Sequence, residues 1–191
     1  MVKKNPDKYE VGKTFVYFVR HGDRIKIPGS PEPHDFSLSS EGIKQAKGIA
    51  KDLAKIKKEI DILYTSPMKR AYETAVEIGK KIGKKPIIIK GFEEVSKIIN
   101  KPNPFNWKYW KARIRFRHNR RVFDKILEKN NGKVIVFVGH GRLNRMLIGK
   151  KLGLSHKKSN MFDSHNCRTT LARFNRKKLD FIYYFNSPKI N

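Results

Sequence analysis

Two hydrophobic rhythms alternate along the chain. Short unbroken apolar runs occupy Phe15–Val19, Asp61–Tyr64, Pro86–Ile89 and Lys133–Val138. They are rich in aromatic and β-branched residues and too short for helices, so each predicts a strand, the first of them buried. The first is expected over Thr14 to Arg20. Between these runs, apolar residues recur three and four apart. Ile43, Ala46, Ile49, Ala50, Leu53 and Ile56 form one stripe, and Ala71, Ala75, Ile78 and Ile82 another. Helices are also expected over Trp107–Lys129 and from Leu143 to about Leu152, and two strands close the chain at Thr169–Phe174 and Asp180–Phe185. Alternating strands and helices predict an α/β fold with a parallel sheet.

Local punctuation fits this division. Pro28, Gly29, Pro31 and Pro33 keep Asp23–Leu38 a loop. Ser39 or Ser40 can cap the next helix, with Glu41 in its first turn. Ser66-Pro67 reads as an N-cap followed by a proline at the first helical position, and Gly83 ends that helix. With no repeat or low-complexity linker, the 191 residues are expected to form one domain spanning 1–191.

Charge changes the picture more than size does. Lys and Arg number 44 against 17 Asp and Glu, a formal net charge of +27. Such a chain attracts anions, whether phosphorylated small molecules, nucleic acid or acidic surfaces. A lysine-rich surface of no specific purpose gives the same number, so charge alone assigns nothing. No apolar run reaches the length of a membrane span, and Met1–Lys13 lacks the apolar middle of a secretory signal. The single cysteine, Cys167, excludes an internal disulfide, and a reducing, cytoplasmic setting is expected.

Two of the strands end in histidine. Arg20-His21-Gly22-Asp23 follows the first, and Gly139-His140-Gly141 follows the fourth. Ligands bind at the carboxyl ends of strands in open α/β sheets. Arg70, near the start of the second helix, can reach the same edge. Two histidines and at least two arginines without a metal-ligand cluster suit phosphoryl transfer. A neutral imidazole attacks phosphorus, and guanidinium groups match phosphate oxygens and stabilise the transition state. Neighbouring guanidiniums are expected to hold the nucleophilic imidazole neutral.

In order along the chain, four segments resemble the histidine phosphatase superfamily, the phosphoglycerate mutase-like proteins. They are Arg20-His21-Gly22-Asp23, Leu38 through Gly42, Gln45 and Ala46, Thr65-Ser66-Pro67 through Arg70, Ala71, Thr74 and Ala75, and Val138-Gly139-His140-Gly141. The resemblance covers roughly residues 14 to 174. It implies a three-layer α/β/α sandwich with a mostly parallel central sheet. It further implies that His21 becomes phosphorylated, that Arg20, Arg70 and His140 hold the phosphoryl group with Gly141 beside it, and that a carboxylate serves as general acid and base. Phe92-Glu93-Glu94-Val95 stands where the family has a Leu-x-Glu sequence, so Glu94 is the choice and Glu93 the reserve. No cofactor or metal is implied. Arg24 extends the first motif to Arg-His-Gly-Asp-Arg, similar to the acid phosphatase branch, which makes it a further candidate phosphate ligand.

A phosphatase is expected, acting on a phosphorylated small molecule, with a polyanionic one as an option. The stretch between Glu94 and His140 is short for a phosphomutase, the alternative within the fold. A third reading, of another class, is a nucleic-acid-binding protein with vestigial catalysis. It draws on Trp107–Arg121, where aromatics alternate with cations. The competing expectation packs Trp107, Trp110, Ile114 and Phe123 on the sheet and leaves a basic rim. His34, His118, His156 and His165 lack metal-ligand spacing. Cys167 and Arg173 reproduce the Cys-x5-Arg spacing of tyrosine phosphatases, but the residues between read as a strand. Phe181–Phe185 suits an edge strand or a dimer contact, and the sequence leaves oligomeric state open.

Overall fold

The computed structural model describes residues 9–26, 35–100 and 103–187. Six strands form one sheet. In chain order they are β1 (Thr14–Arg20), β2 (Ile62–Thr65), β3 (Ile87–Ile88), β4 (Val134–Gly139), β5 (Thr169–Asn175) and β6 (Lys178–Ser187), lying in the order β3-β2-β4-β1-β5-β6. β1, β2, β3 and β4 run parallel, while β5 and β6 are antiparallel additions at one edge. The sheet is therefore mostly parallel, and the tail is an edge hairpin.

Helices α1 (Ser40–Ala54) and α2 (Lys69–Ile82) cover one face. Their apolar stripes meet Phe15, Tyr17 and Val19 of β1. Helices α3 (Trp107–Lys129) and α4 (Gly141–Lys151) cover the other, against Val16 and Phe18. A short α5 (His156–Ser159) follows α4. Each strand side chain alternates between the two cores, as the period of a strand requires. The three-layer α/β/α sandwich is present.

Three local expectations need correction. Ile43 is exposed, because the buried face of α1 is Gly42, Ala46, Ile49, Ala50 and Leu53. Ser66 does not cap α2; the helix begins at Lys69 with Met68 at the N-cap position and no side-chain cap. In α3 it is Tyr109, Ala112, Phe116, Phe123 and Leu127 that pack inward, while Trp107, Trp110 and Ile114 face out. His34 and the prolines of its loop lie outside the described residues.

The start of α1 is tied to the loop after β1. Ser39 Oγ accepts from Gly42 N at 3.0 Å and donates to Asp23 Oδ2 at 3.0 Å, and Gln45 Oε1 accepts from Asp23 N at 2.9 Å. The two backbones nearly touch there. A Cβ on Gly42 would lie 1.9 Å from Asp23 O, and one on Gly22 would lie 2.5 Å from Gly42 O. Close approach of the two backbones is what requires Gly22. Gly42→Ala is expected to cost about 3 kcal/mol by overpacking and to lower the melting temperature by roughly 10 °C. A melt within a degree of the native chain would contradict this account.

Candidate active site

β1 and β4 are adjacent and in parallel register, with Arg20 opposite Gly139. His21 N continues the ladder by donating to Gly139 O at 3.0 Å. This pairing brings His21 and His140 side by side, ring centroids 5.2 Å apart with planes at 64°. Both are buried. Arg70, buried in the first turn of α2, donates through Nε to His21 Nε2 at 3.1 Å. The structure thus brings together three residues that the sequence placed at one edge from three separate segments.

The hydrogen bonds fix the His21 tautomer. Nδ1 lies 2.6 Å from Gly22 O. A carbonyl only accepts, so Nδ1 carries the proton. Nε2 then has a free lone pair, which meets the Arg70 N–H. Burial, opposed by the Gly22 bond and reinforced by Arg70, Arg20 and Arg24, pushes the His21 imidazole down to about 3. The direction is the one expected, but desolvation leads and the arginines follow.

His140 sits at the N-cap position of α4, and its Nε2 lies 2.7 Å from Ser66 Oγ. Its Nδ1 is buried and has no partner among the described residues. Burial, then His21, Arg70 and Arg20, hold its pKa well below the ordinary value. Arg20 donates through Nη1 to Ser164 O, while its Nε is buried and unpartnered among the described residues. Burial lowers its pKa, and Glu94 is the leading opposing charge. Two polar atoms of these residues, His140 Nδ1 and Arg20 Nε, are therefore desolvated and unsatisfied, a costly arrangement unless a ligand completes it.

Glu94 occupies the turn after β3. Its Oε1 accepts from Val95 N and Leu143 N, both at 3.0 Å, and its Oε2 accepts from Arg142 N at 3.3 Å. The carboxylate thus closes the first turn of α4, just after its N-cap residue His140. Glu93 is half-buried beside it. Gly141 leaves room for Arg20: a Cβ there would lie 3.3 Å from its Cδ and Nε. Arg24 is half-buried, with its guanidinium carbon 5.7 Å from the Phe36 ring centroid.

Several supporting residues were not among the site residues expected from the sequence. Ser66 holds His140. Thr74 Oγ1 accepts from Gly22 N at 3.1 Å and donates to Arg70 O at 2.7 Å, coupling the nucleophile loop to α2. Asn144 Nδ2 donates to Val19 O at 3.2 Å. Ser66 and Thr74 belong to the motif that carries Arg70, which was the available signal; Ser164 and Asn144 had none. Cys167 is buried and pushed up to about 12, chiefly by desolvation, and Arg173 is paired with Glu10 and Asp180. Their spacing is a coincidence: Cys167 precedes β5 and Arg173 lies within it. No group of three or more His, Cys, Asp or Glu suited to a metal ion occurs among the described residues.

Both site histidines stay neutral in the folded chain where free imidazoles, near 6.5, take up protons. Between about 6.5 and 3 the unfolded chain binds more protons, so stability falls as pH drops through that window. Each histidine contributes up to about 1.4 kcal/mol per pH unit. Denaturant midpoints measured from pH 7 to 4 are expected to fall, and to fall less steeply in His21→Gln. An equal slope in that variant would remove His21 from the effect.

A mostly parallel sheet with paired histidines and an arginine at its carboxyl edge defines a phosphate-handling α/β protein. The family model of the histidine phosphatase superfamily (branch 1) matches residues 16–97 and 112–187. The chain belongs to that superfamily. It is 42% identical over 62 residues to a protein named as a probable phosphatase of Schizosaccharomyces pombe, a match covering 31% of this chain and 29% of that protein. Among solved structures, the fold resembles Entamoeba histolytica phosphoserine phosphatase in complex with 3-phosphoglyceric acid, with TM-score 0.68, 23% identity, and coverage of 91% of this chain and 97% of that one. It also resembles mycobacterial glucosyl-3-phosphoglycerate phosphatase, with TM-score 0.71, 20% identity, and coverage of 92% and 99%.

Proposed function

We propose that the protein is a phosphatase that hydrolyses phosphomonoesters through a phosphohistidine at His21. The observation that carries this reading is the Nδ1–Gly22 O bond at 2.6 Å, which leaves a neutral ring with its Nε2 lone pair directed at Arg70. A phosphoserine phosphatase and a glucosyl-3-phosphoglycerate phosphatase among the fold relatives support the substrate class, a small phosphorylated metabolite.

The steps follow from the residues. A phosphate monoester displaces the Arg70 N–H from Nε2 and engages the guanidiniums of Arg70 and Arg20. His140 Nδ1 takes up a phosphoryl oxygen if Ser66 donates to Nε2. Arg24 adds to the positive field and is a further phosphate contact. Nε2 attacks phosphorus as the P–O bond to the alcohol breaks, and Glu94 gives its proton to the departing alkoxide. The Nε2–P bond now holds the phosphoryl group. Glu94 then takes a proton from water, whose oxygen attacks phosphorus and releases His21 and inorganic phosphate. The guanidiniums offset the charge developing on the phosphoryl oxygens, so the reaction is metal-independent.

The test is hydrolysis of an aryl phosphate in excess EDTA, followed by rapid quenching with labelled substrate. Activity should survive EDTA, and the label should remain on the protein through a base-stable, acid-labile linkage. Loss of activity in EDTA, or label absent from His21, overturns the reading.

A further inference from the structure

On α3 the outward face carries what the core does not use. Trp107, Trp110 and Ile114 are 64%, 43% and 63% exposed, and Phe105 just before the helix is 97% exposed. The aromatic rings are held in place. Trp110 Nε1 donates to Pro104 O at 2.9 Å, the Arg113 guanidinium lies 5.4 Å from the Trp110 ring centroid, and Lys111 Nζ lies 5.3 Å from that of Trp107. Alongside runs a cleft of about 260 Å³ lined by Arg113, Phe116, Arg117, Arg120, Lys150 and His156. At 100° per residue, Arg113, Arg117 and Arg120 occupy the flank of the helix next to Trp110. Cleft and aromatic row are one continuous surface.

The charges of that surface are not neutralised from within. Asp124 is paired with Lys151, and Glu128 with Lys177. Among the described residues, Arg117, Arg120 and Lys150 have no carboxylate within ion-pair distance. A polyanion is the complementary partner.

We propose that the α3 face from Trp107 to Arg121, with the adjoining cleft, binds single-stranded nucleic acid. Arg117, Arg120 and Lys150 take backbone phosphates, and Trp107 and Trp110 stack bases. The face is about 21 Å long at the rise of a helix, room for several nucleotides. A small phosphorylated metabolite fills the cleft but leaves the tryptophans unused. A duplex keeps its bases stacked on one another. An acidic bilayer meets Phe105, Trp107, Trp110 and Ile114 as well, so anionic vesicles are one arm of the test. This site is independent of the phosphatase reading.

Because Trp107 and Trp110 are the two tryptophans of the chain, fluorescence excited selectively in tryptophan reports this face alone. A single-stranded oligonucleotide titrated at about 50 mM salt is expected to quench it saturably, with an affinity that falls as salt rises. Arg117→Gln with Arg120→Gln should make the slope of log affinity against log salt shallower by about 1.4, since each neutralised phosphate contact on a single strand contributes about 0.7. Trp107→Ala with Trp110→Ala, followed by polarisation of a labelled oligonucleotide, should weaken binding tenfold or more while leaving the slope unchanged. Neutralising Lys44 and Lys47 on α1, across the sheet, should change neither. The proposal fails if quenching does not saturate, if the α1 variant loses as much as the α3 variants, or if pyrophosphate or anionic vesicles bind in place of the oligonucleotide. Hydrolysis of an aryl phosphate by the Arg117/Arg120 variant certifies its fold and separates this outcome from that of the catalytic test.

Discussion

His21→Ala is expected to slow aryl phosphate hydrolysis by about 10⁵-fold and to abolish trapping of a phosphoryl group on the protein. No neighbour can replace the lost nucleophile. His140 has its Nε2 at 2.7 Å from Ser66 Oγ and is fully buried. The imidazole of His21 is neutral above about 3, so between pH 4 and 8 its ionisation does not limit kcat/KM. Any acid limb in that range must come from another group, such as the second ionisation of the substrate phosphate near 6. A steep loss of kcat/KM at a substrate-independent pH between 5 and 7, shared by all phosphomonoesters, would show that the imidazole ionises within that range. Undiminished turnover by His21→Ala would show that another residue attacks phosphorus.

Glu94→Gln carries the second large effect, and its size should depend on the leaving group. An aryl phosphate expels a weakly basic phenolate, for which proton donation matters little; an alkyl phosphate needs it. The variant is expected to lose about tenfold on the first and about 10³-fold on the second. The comparison is necessary because Glu94 also closes the first turn of α4 through Arg142 N and Leu143 N. A glutamine oxygen replaces one acceptor and loses the other, so some disorder of the His140 region accompanies the change. Disorder alone lowers both substrates equally. Equal losses would leave Glu94 as a cap, and Glu93→Gln, expected to stay within about twofold, would then be the variant to measure.

The contrast between β1 and α3 shows what the sequence could and could not convey. β1 is buried on both faces, so every residue from Phe15 to Val19 is apolar and its ends are marked by Lys13 and Arg20. Burial on two sides writes itself into composition. α3 is apolar on two faces for different reasons, and periodicity does not say which face meets the sheet. Trp107 and Phe123 are about 160° apart around the helix, so they could not share one face. Large side chains favour burial, but the angle between them puts Phe123 on the sheet and leaves Trp107 outside. The positions of Arg20, His21 and His140 were legible because motif and strand end coincide, and that of Arg70 because its motif opens α2. The Ser66–His140 bond was not, since a serine before proline has a sufficient local explanation as a cap and its true partner is remote in sequence. The cap role of Glu94 was hidden for the same reason.

The central position of β1 also bears on how the chain acquires its shape. Its neighbours are β4 and β5, both from the far half of the sequence. An apolar strand near the start of the chain must therefore wait for most of the polypeptide before it is paired, and pairings between distant segments form slowly. Until Val134–Gly139 arrives, Phe15–Val19 is an unprotected aggregation-prone segment on a nascent chain. Much of the +27 charge lies between these strands, and mutual repulsion among lysines is well suited to keep incomplete chains apart during that interval.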